Sequence, residues 1–238
     1  MSAATSALQN VAPRLWLRWP IRFVLWLKRP FLLHRVRRHT LERIEDVPLV
    51  VWPDVLNPVV FRTGEWFAVS LRCLISDAEG KRALDMGTGS GACAIFAARA
   101  GCRVTAVDVN PEAVRCAHIN VMLNRLEQQV EVREGDLFGP VAGERFDLVL
   151  FNPPFFRGQP KTLFDLAWRS VDVLERFAAG LASVLTCGGE ALILLSTDGD
   201  GETMIQALLS NGFDVSVAAR TNLGNEVLTI YRAGLRTP

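Results

Sequence analysis

Asp85, Asp108 and Asp136 each fall at or near the end of a short apolar run, RALDMGT (82–88), RVTAVDV (103–109) and VEVREGD (130–136). The first run leads into DMGTGSG (85–91), with glycine at 87, 89 and 91. Glycines at a strand-to-helix turn remove side chains where a ligand must touch backbone, and such turns serve nucleotides. The spacing is GxGxG rather than the dinucleotide GxGxxG, and the absence of GK[ST] excludes a P-loop. A carboxylate about twenty residues on, here Asp108, can accept both ribose hydroxyls. Asp136, in GDLF, can reach an adenine edge. Three acids at successive strand ends disfavour a phosphate ligand and favour a nucleoside that carries positive charge. S-adenosylmethionine (SAM), with its ammonium and sulfonium, is such a nucleoside.

A fourth apolar run, FDLVLFN (146–152), ends in FNPPFF (151–156). Asn152 offers a side-chain carbonyl, and Pro153 keeps a carbonyl but has no N–H. Pro153 and Pro154 both fix φ. Alone, Asn-Pro-Pro reads as a strand-terminating turn. After a fourth strand, and behind the glycine loop and Asp108, it becomes a candidate acceptor site at the switch point of a parallel sheet.

The elements that must position these residues alternate. ACAIFAARA (92–100), PEAVRCAHINVMLN (111–124) and FDLAWRSVDVLERFAAGLASVL (164–185) read as helices between the strands. Asn110 is the expected N-cap of the second, with Pro111 in its first turn. EALILLS (190–196) is a buried strand, followed by a helix near 201–211. DVSVAAR (214–220) and EVLTIYR (226–232) are too close for a crossover helix, so they should pair antiparallel. The expectation is an α/β fold, a Rossmann-like sheet with helices on both faces.

These stretches resemble a known family. DMGTGSG, VDVNPEA, GDLF and FNPPF, in this order, are similar to the class I SAM-dependent methyltransferases, and in particular to the HemK/PrmC branch of protein glutamine-N5 methyltransferases. The resemblance covers roughly residues 60–235 and implies a seven-stranded sheet whose last strand is antiparallel. It implies SAM as cofactor, held by Asp85, Gly87, Thr88, Gly89, Gly91, Asp108, Val109, Asp136, Leu137 and Asn152. It also implies that Asn152 and Pro153 accept the two N–H bonds of a planar amide or amino group, that Pro154 stiffens the loop, and that Phe155 lies against that group. A segment like NPVVFRTGEWFA (57–68) caps the cofactor pocket in the family, making Thr63, Gly64 and Glu65 candidate contacts; an ordinary helix start with Thr63 as N-cap is the alternative. The glutamine-specific branch carries tyrosine where Phe155 stands, and phenylalanine there is common in relatives that methylate adenine N6 or guanine N2. A protein glutamine is therefore the first acceptor expected, an RNA or DNA base amine the second, and a non-catalytic SAM-binding or membrane-associated module the third reading.

Composition sets the outer limits. The chain has 238 residues, 50% of them hydrophobic, which suits one domain with a small extension. Lys+Arg 26 against Asp+Glu 25 leaves no strong overall field. Five scattered cysteines without a CxxC pair fit free thiols in a reducing cytoplasm. Three histidines without HxH or HExxH spacing give no metal site.

The first acid is Glu42, whereas RLWLRWPIRFVLWLKRP (14–30) carries Trp16, Trp19 and Trp26 with Arg14, Arg18 and Arg22 on one helical face. This basic head is expected to pack on the catalytic domain, its arginine stems covering apolar surface. Peripheral contact of residues 14–30 with an anionic membrane, docking of a macromolecular acceptor, and a mitochondrial transit segment are the other readings. No apolar run is long enough to span a bilayer, and a secretory signal is not expected. The expected organisation is a basic, tryptophan-rich helical extension over 1–56 and a SAM-dependent methyltransferase domain over 57–238.

Overall fold

The computed structural model describes residues 38–75 and 77–236. Their elements run β1 (Thr40–Ile44), β2 (Val47–Val51), α1 (Pro58–Phe61), α2 (Thr63–Leu74), β3 (Arg82–Met86), α3 (Ala92–Arg99), β4 (Arg103–Asp108), α4 (Pro111–Leu123), β5 (Val130–Glu134), β6 (Phe146–Phe151), β7 (Phe156–Arg157), α5 (Leu163–Leu166), β8 (Arg169–Ser170), α6 (Val173–Leu181), β9 (Leu185–Ser196), α7 (Gly201–Ser210), β10 (Phe213–Asn222) and β11 (Val227–Leu235).

Seven strands form one sheet in the order β10-β11-β9-β6-β3-β4-β5. β5, β4, β3, β6 and β9 are parallel, and β11 runs antiparallel to both β9 and β10. The alternation of side chains divides the core into two layers. Leu148, Leu150, Leu192 and Leu194 face one side with α2 and α3. Val149, Phe151, Ile193 and Leu195 face the other, with Phe177 of α6 and Met204 and Leu208 of α7. Both faces are covered, which explains why the parallel strands are continuous apolar runs in sequence. The β3–β6 register pairs Met86 with Phe151, so the chain leaves both strands at the same level. Asn152 thus stands beside the start of the glycine loop.

Two expectations are corrected. Residues 40–51 form an antiparallel hairpin, not a helix, and Ile44, Val47 and Leu49 are buried in the same layer as α2 and α3. Residues 14–30, the basic head, lie outside the described residues. The helix expected over 164–185 is broken, because the backbone at Trp168 and Ser170 is captured by a two-residue ladder. Phe156 N–H donates to Trp168 C=O (2.9 Å) and Gly158 N–H to Ser170 C=O (3.1 Å). Ser170 Oγ then accepts from Val173 N–H (3.0 Å), and α6 starts afresh.

The hairpin is clamped to the cofactor side of the fold by one amide. Asn120 on α4 is fully buried; its Oδ1 accepts from Val50 N–H (2.7 Å), and its Nδ2 donates to Val50 C=O (2.8 Å) and Ser90 C=O (2.8 Å). Ser90 lies within the glycine loop, so Asn120 ties β2, α4 and that loop together. Asn120→Ala should leave these backbone groups short of partners and lower unfolding free energy by about 2–4 kcal/mol. Thermal unfolding should shift down by on the order of 5–15 °C; a loss under about 1 kcal/mol would show that the clamp is dispensable.

Candidate active site

A cavity of about 630 Å³ opens at the C-terminal ends of β3, β4 and β6. Its inner wall is the turn from β3 into α3, which the sequence builds from glycines because the turn is left-handed. Gly87 has φ +67°, Gly89 +56° and Gly91 +82°. A Cβ on Gly91 would sit 3.3 Å from Ala117 on α4, so that glycine also permits close helix packing.

Asp85 and Asp108 hold this turn. Asp85 is buried, and one of its oxygens, Oδ2, accepts from Thr88 Oγ1 (2.6 Å) and Ala94 N–H (3.0 Å). Burial pushes its carboxyl up to about 7, against the lowering effect of those two bonds. Asp108, at the end of β4, accepts from Gly89 N–H (2.8 Å) and Asn110 N–H (2.9 Å), one through each oxygen. Burial also raises its carboxyl, while the N–H groups of Asn110, Gly89 and Val109 oppose the rise. Each oxygen of a carboxylate has further acceptor capacity, so Asp108 can still meet two hydroxyls. Asp136 and Leu137 line the next wall, with Leu137 in the left-handed region at φ +45°. Asp136 is not a lone acid: Arg176 donates to it at 2.6 Å and also to Asp172 at 3.0 Å.

At the end of β6, Asn152 and Pro154 line the cavity. Asn152 Oδ1 is buried, and no protein group donates to it. Asn124 Oδ1 and Glu175 Oε2 share that condition among the described residues, but neither lines the cavity. Pro153 and Phe155 are not cavity-lining residues. Phe155 is turned toward the start of α7, where Asp200 N–H donates to its carbonyl (3.1 Å) and Gly199 packs on its Cα and Cβ. The ring position implied by the family resemblance is thus not one that faces the cavity here.

The cover comes from two segments. Asp54, Val55, Leu56, Pro58 and Gly64 form one side. Asn110 Nδ2 holds that strap through Asp54 C=O (2.8 Å), while Asn110 Oδ1 caps α4 as expected by accepting from Glu112 N–H (3.0 Å). Asn57 caps α1, and Arg62, in the left-handed region, precedes α2 in place of a Thr63 cap. Of the three candidates there, Gly64 lines the cavity and Thr63 is buried, whereas Glu65 does neither. The other side of the cover is the stretch from Gln159 to Arg176. Cys93 also lines the cavity, but burial keeps its thiol protonated, far above the ordinary range. Asn120, Arg176 and the 54–56 strap have no local sequence signal as site components, since each acts through a partner distant in the chain.

These residues fit a cationic nucleoside. The turn is free of side chains, Asp108 presents acceptors at the ribose distance from the loop, and Asp85 places a carboxyl group nearby. The fold and this site define a SAM-dependent methyltransferase. The sequence model of the methyltransferase small domain matches residues 68–222. A protein of Methanocaldococcus jannaschii with a provisional assignment as a protein N5-glutamine methyltransferase is 34% identical over 200 residues, which is 80% of this chain and 96% of that one. A release factor glutamine methyltransferase of Gloeobacter violaceus is 34% identical over 144 residues, 54% of this chain and 50% of that one; this chain therefore spans about half of that enzyme. In fold it is similar to a crystal structure of the ribosomal protein L11 methylase from Lactobacillus delbrueckii subsp. bulgaricus, at TM-score 0.59 and 18% identity, covering 81% of this chain and 98% of that one. The chain belongs to the methyltransferase small domain family, in its HemK/PrmC-like branch. Among the described residues there is no cluster of metal-ligating groups and no helix long and apolar enough to cross a membrane.

Asp85 binds its proton more tightly folded than unfolded, so its contribution to stability is full below the usual carboxylate range near 4. That contribution is lost as pH rises to about 7. Asp85→Asn keeps an oxygen for Thr88 and Ala94 but removes the buried charge. Between pH 5.5 and 8 the variant should lose less stability than wild type in denaturant titrations, while its SAM affinity at pH 8 falls about tenfold or more. Parallel stability curves for the two proteins would contradict the assignment.

Proposed function

We propose that this enzyme methylates the side-chain amide nitrogen of a protein glutamine. The observation that carries the reading is Asn152 Oδ1, a buried carbonyl oxygen with no protein donor, on the wall of the cofactor cavity. A buried acceptor without a donor costs about 1–3 kcal/mol, and a planar NH₂ group entering the cavity removes that cost. The Pro153 carbonyl, one residue on, is the second acceptor for the same group, and Pro153 and Pro154 restrict the loop that carries both.

The cofactor supplies an electrophilic methyl group on a sulfonium. Asn152 and Pro153 hold the acceptor nitrogen by both N–H bonds, which fixes the plane of the group as well as its position. An amide nitrogen is a poor nucleophile because its lone pair is delocalised, so orientation is the main contribution available; well-oriented reactions gain roughly 7–11 kcal/mol. As the nitrogen acquires the methyl it becomes more positive, and its N–H bonds to Asn152 and Pro153 strengthen before one proton leaves to solvent. The relatives named for N5-glutamine and release factor glutamine methylation support this acceptor. The Phe155 departure favours one alternative, the exocyclic amine of a nucleic-acid base, which presents a similar NH₂ plane to Asn152.

Asn152→Ala should reduce kcat/KM by roughly 10²–10³-fold while the protein still folds and binds SAM. Methyl transfer from labelled SAM to an unmethylated release factor, measured beside SAM calorimetry, checks this. Turnover like wild type would remove Asn152 from the mechanism, and label found only in nuclease-sensitive material would establish the base-amine alternative.

A further inference from the structure

Arg169 lines the same cavity as Asn152 and is exposed at its mouth. Its guanidinium lies 5.9 Å from the Phe156 ring centroid, and no protein hydrogen bond or ion pair engages it. That state is unusual at this mouth. Arg157 donates to Asp200 (2.6 Å), to Glu175 and to Val171 C=O (2.9 Å). Arg176 is held by Asp136 and Asp172. Arg169 is therefore the cavity-lining cation among the described residues whose five donors are all uncommitted. It is also held in place: β8 pairs with β7, Phe156 stacks with Trp168 (6.3 Å between centroids), and Trp168 meets Phe61 of α1 edge-on (4.8 Å).

We propose that Arg169 is an acceptor-binding, specificity-determining residue that grips a carbonyl or carboxylate oxygen of the polypeptide flanking the methylated glutamine; this rests on the protein-glutamine reading above. The charges around it select a peptide over a polyanion. Asp54, Asp136 and Asp172 line the cavity alongside Arg169, and Arg176 is already shared between two of them. A nucleic-acid backbone would meet more carboxylates than free cations there, whereas a peptide needs only one fork of donors. Exposed Phe156, Leu163 and Val171 around the same cover offer apolar contact to the neighbouring side chains of such a peptide. Stacked on a ring, the guanidinium keeps a fixed plane, a constraint that a lysine ammonium does not reproduce.

The test titrates unmethylated release factor against wild-type, Arg169→Ala and Arg169→Lys enzymes at saturating labelled SAM, with SAM affinity measured separately by calorimetry. The KM for release factor should rise about tenfold or more in Arg169→Ala, and lysine should restore only part of it. The kcat and SAM affinity should stay within about twofold, since neither depends on a contact outside the reacting atoms. Phe156→Ala should raise the same KM by a smaller factor. An unchanged KM in Arg169→Ala, with wild type active on release factor, overturns this proposal and leaves the glutamine reading standing. A parallel fall in SAM affinity overturns it by assigning the guanidinium to the cofactor. Wild-type label that enters RNA and spares protein overturns both readings together.

Discussion

A carbonyl oxygen that is buried without a donor is a standing cost, and folded chains remove most such costs by local hydrogen bonds. At Asn152 the chain does not. The residue is fixed by the sheet: β6 pairs with β3 through Met86 and Phe151, so the next residue on each strand emerges at the same height. On β3 that residue is Gly87, which opens the glycine turn; on β6 it is the asparagine. The two proline rings after it prevent the loop from folding back to supply an N–H, because neither has one. Everything else in the site is arranged around this pair of strand ends.

The electrostatics of the cavity follow from the same arrangement. Two carboxyl groups stand behind the glycine turn, and both are raised by burial, but Asp85 reaches about 7 and is poised between neutral and charged. Asp108 is restrained by backbone N–H groups from its own strand end and from the turn. A cationic nucleoside offers what such a site lacks. The cover is linked to this floor by side-chain amides: Asn110 reaches Asp54 in the strap, and Asn120 joins Val50 in the hairpin to Ser90 in the turn. The strap, hairpin and glycine turn are thus one hydrogen-bonded unit, and a disturbance in the hairpin should be felt at the cofactor.

The strands and the glycine turn were legible in the sequence because both are local signals. A parallel strand buried on both faces is an apolar run, and a turn with three left-handed residues calls for glycine at each. The antiparallel end of the sheet followed from the short link between Asp214–Arg220 and Glu226–Arg232. What escaped was carried by long-range partners. Nothing near Asn120 announces a contact with Val50, seventy residues away in the chain. Asp136 reads as a free acid until Arg176, forty residues on, is folded against it. The stretch 164–185 has helical spacing throughout, yet the short ladder with Phe156–Arg157 takes the backbone groups that a helix would have used. Phe155 belongs with these, since its orientation is set by Gly199 and Asp200 rather than by its neighbours in sequence.

The account is tested most directly by a crystal structure of the enzyme with S-adenosylhomocysteine and an unmethylated release factor. It predicts the acceptor glutamine amide nitrogen at hydrogen-bond distance, about 2.7–3.2 Å, from Asn152 Oδ1, facing the sulfur across the cavity. A complex in which Asn152 Oδ1 is turned away from the acceptor nitrogen, or is satisfied by the enzyme's own chain, would contradict it.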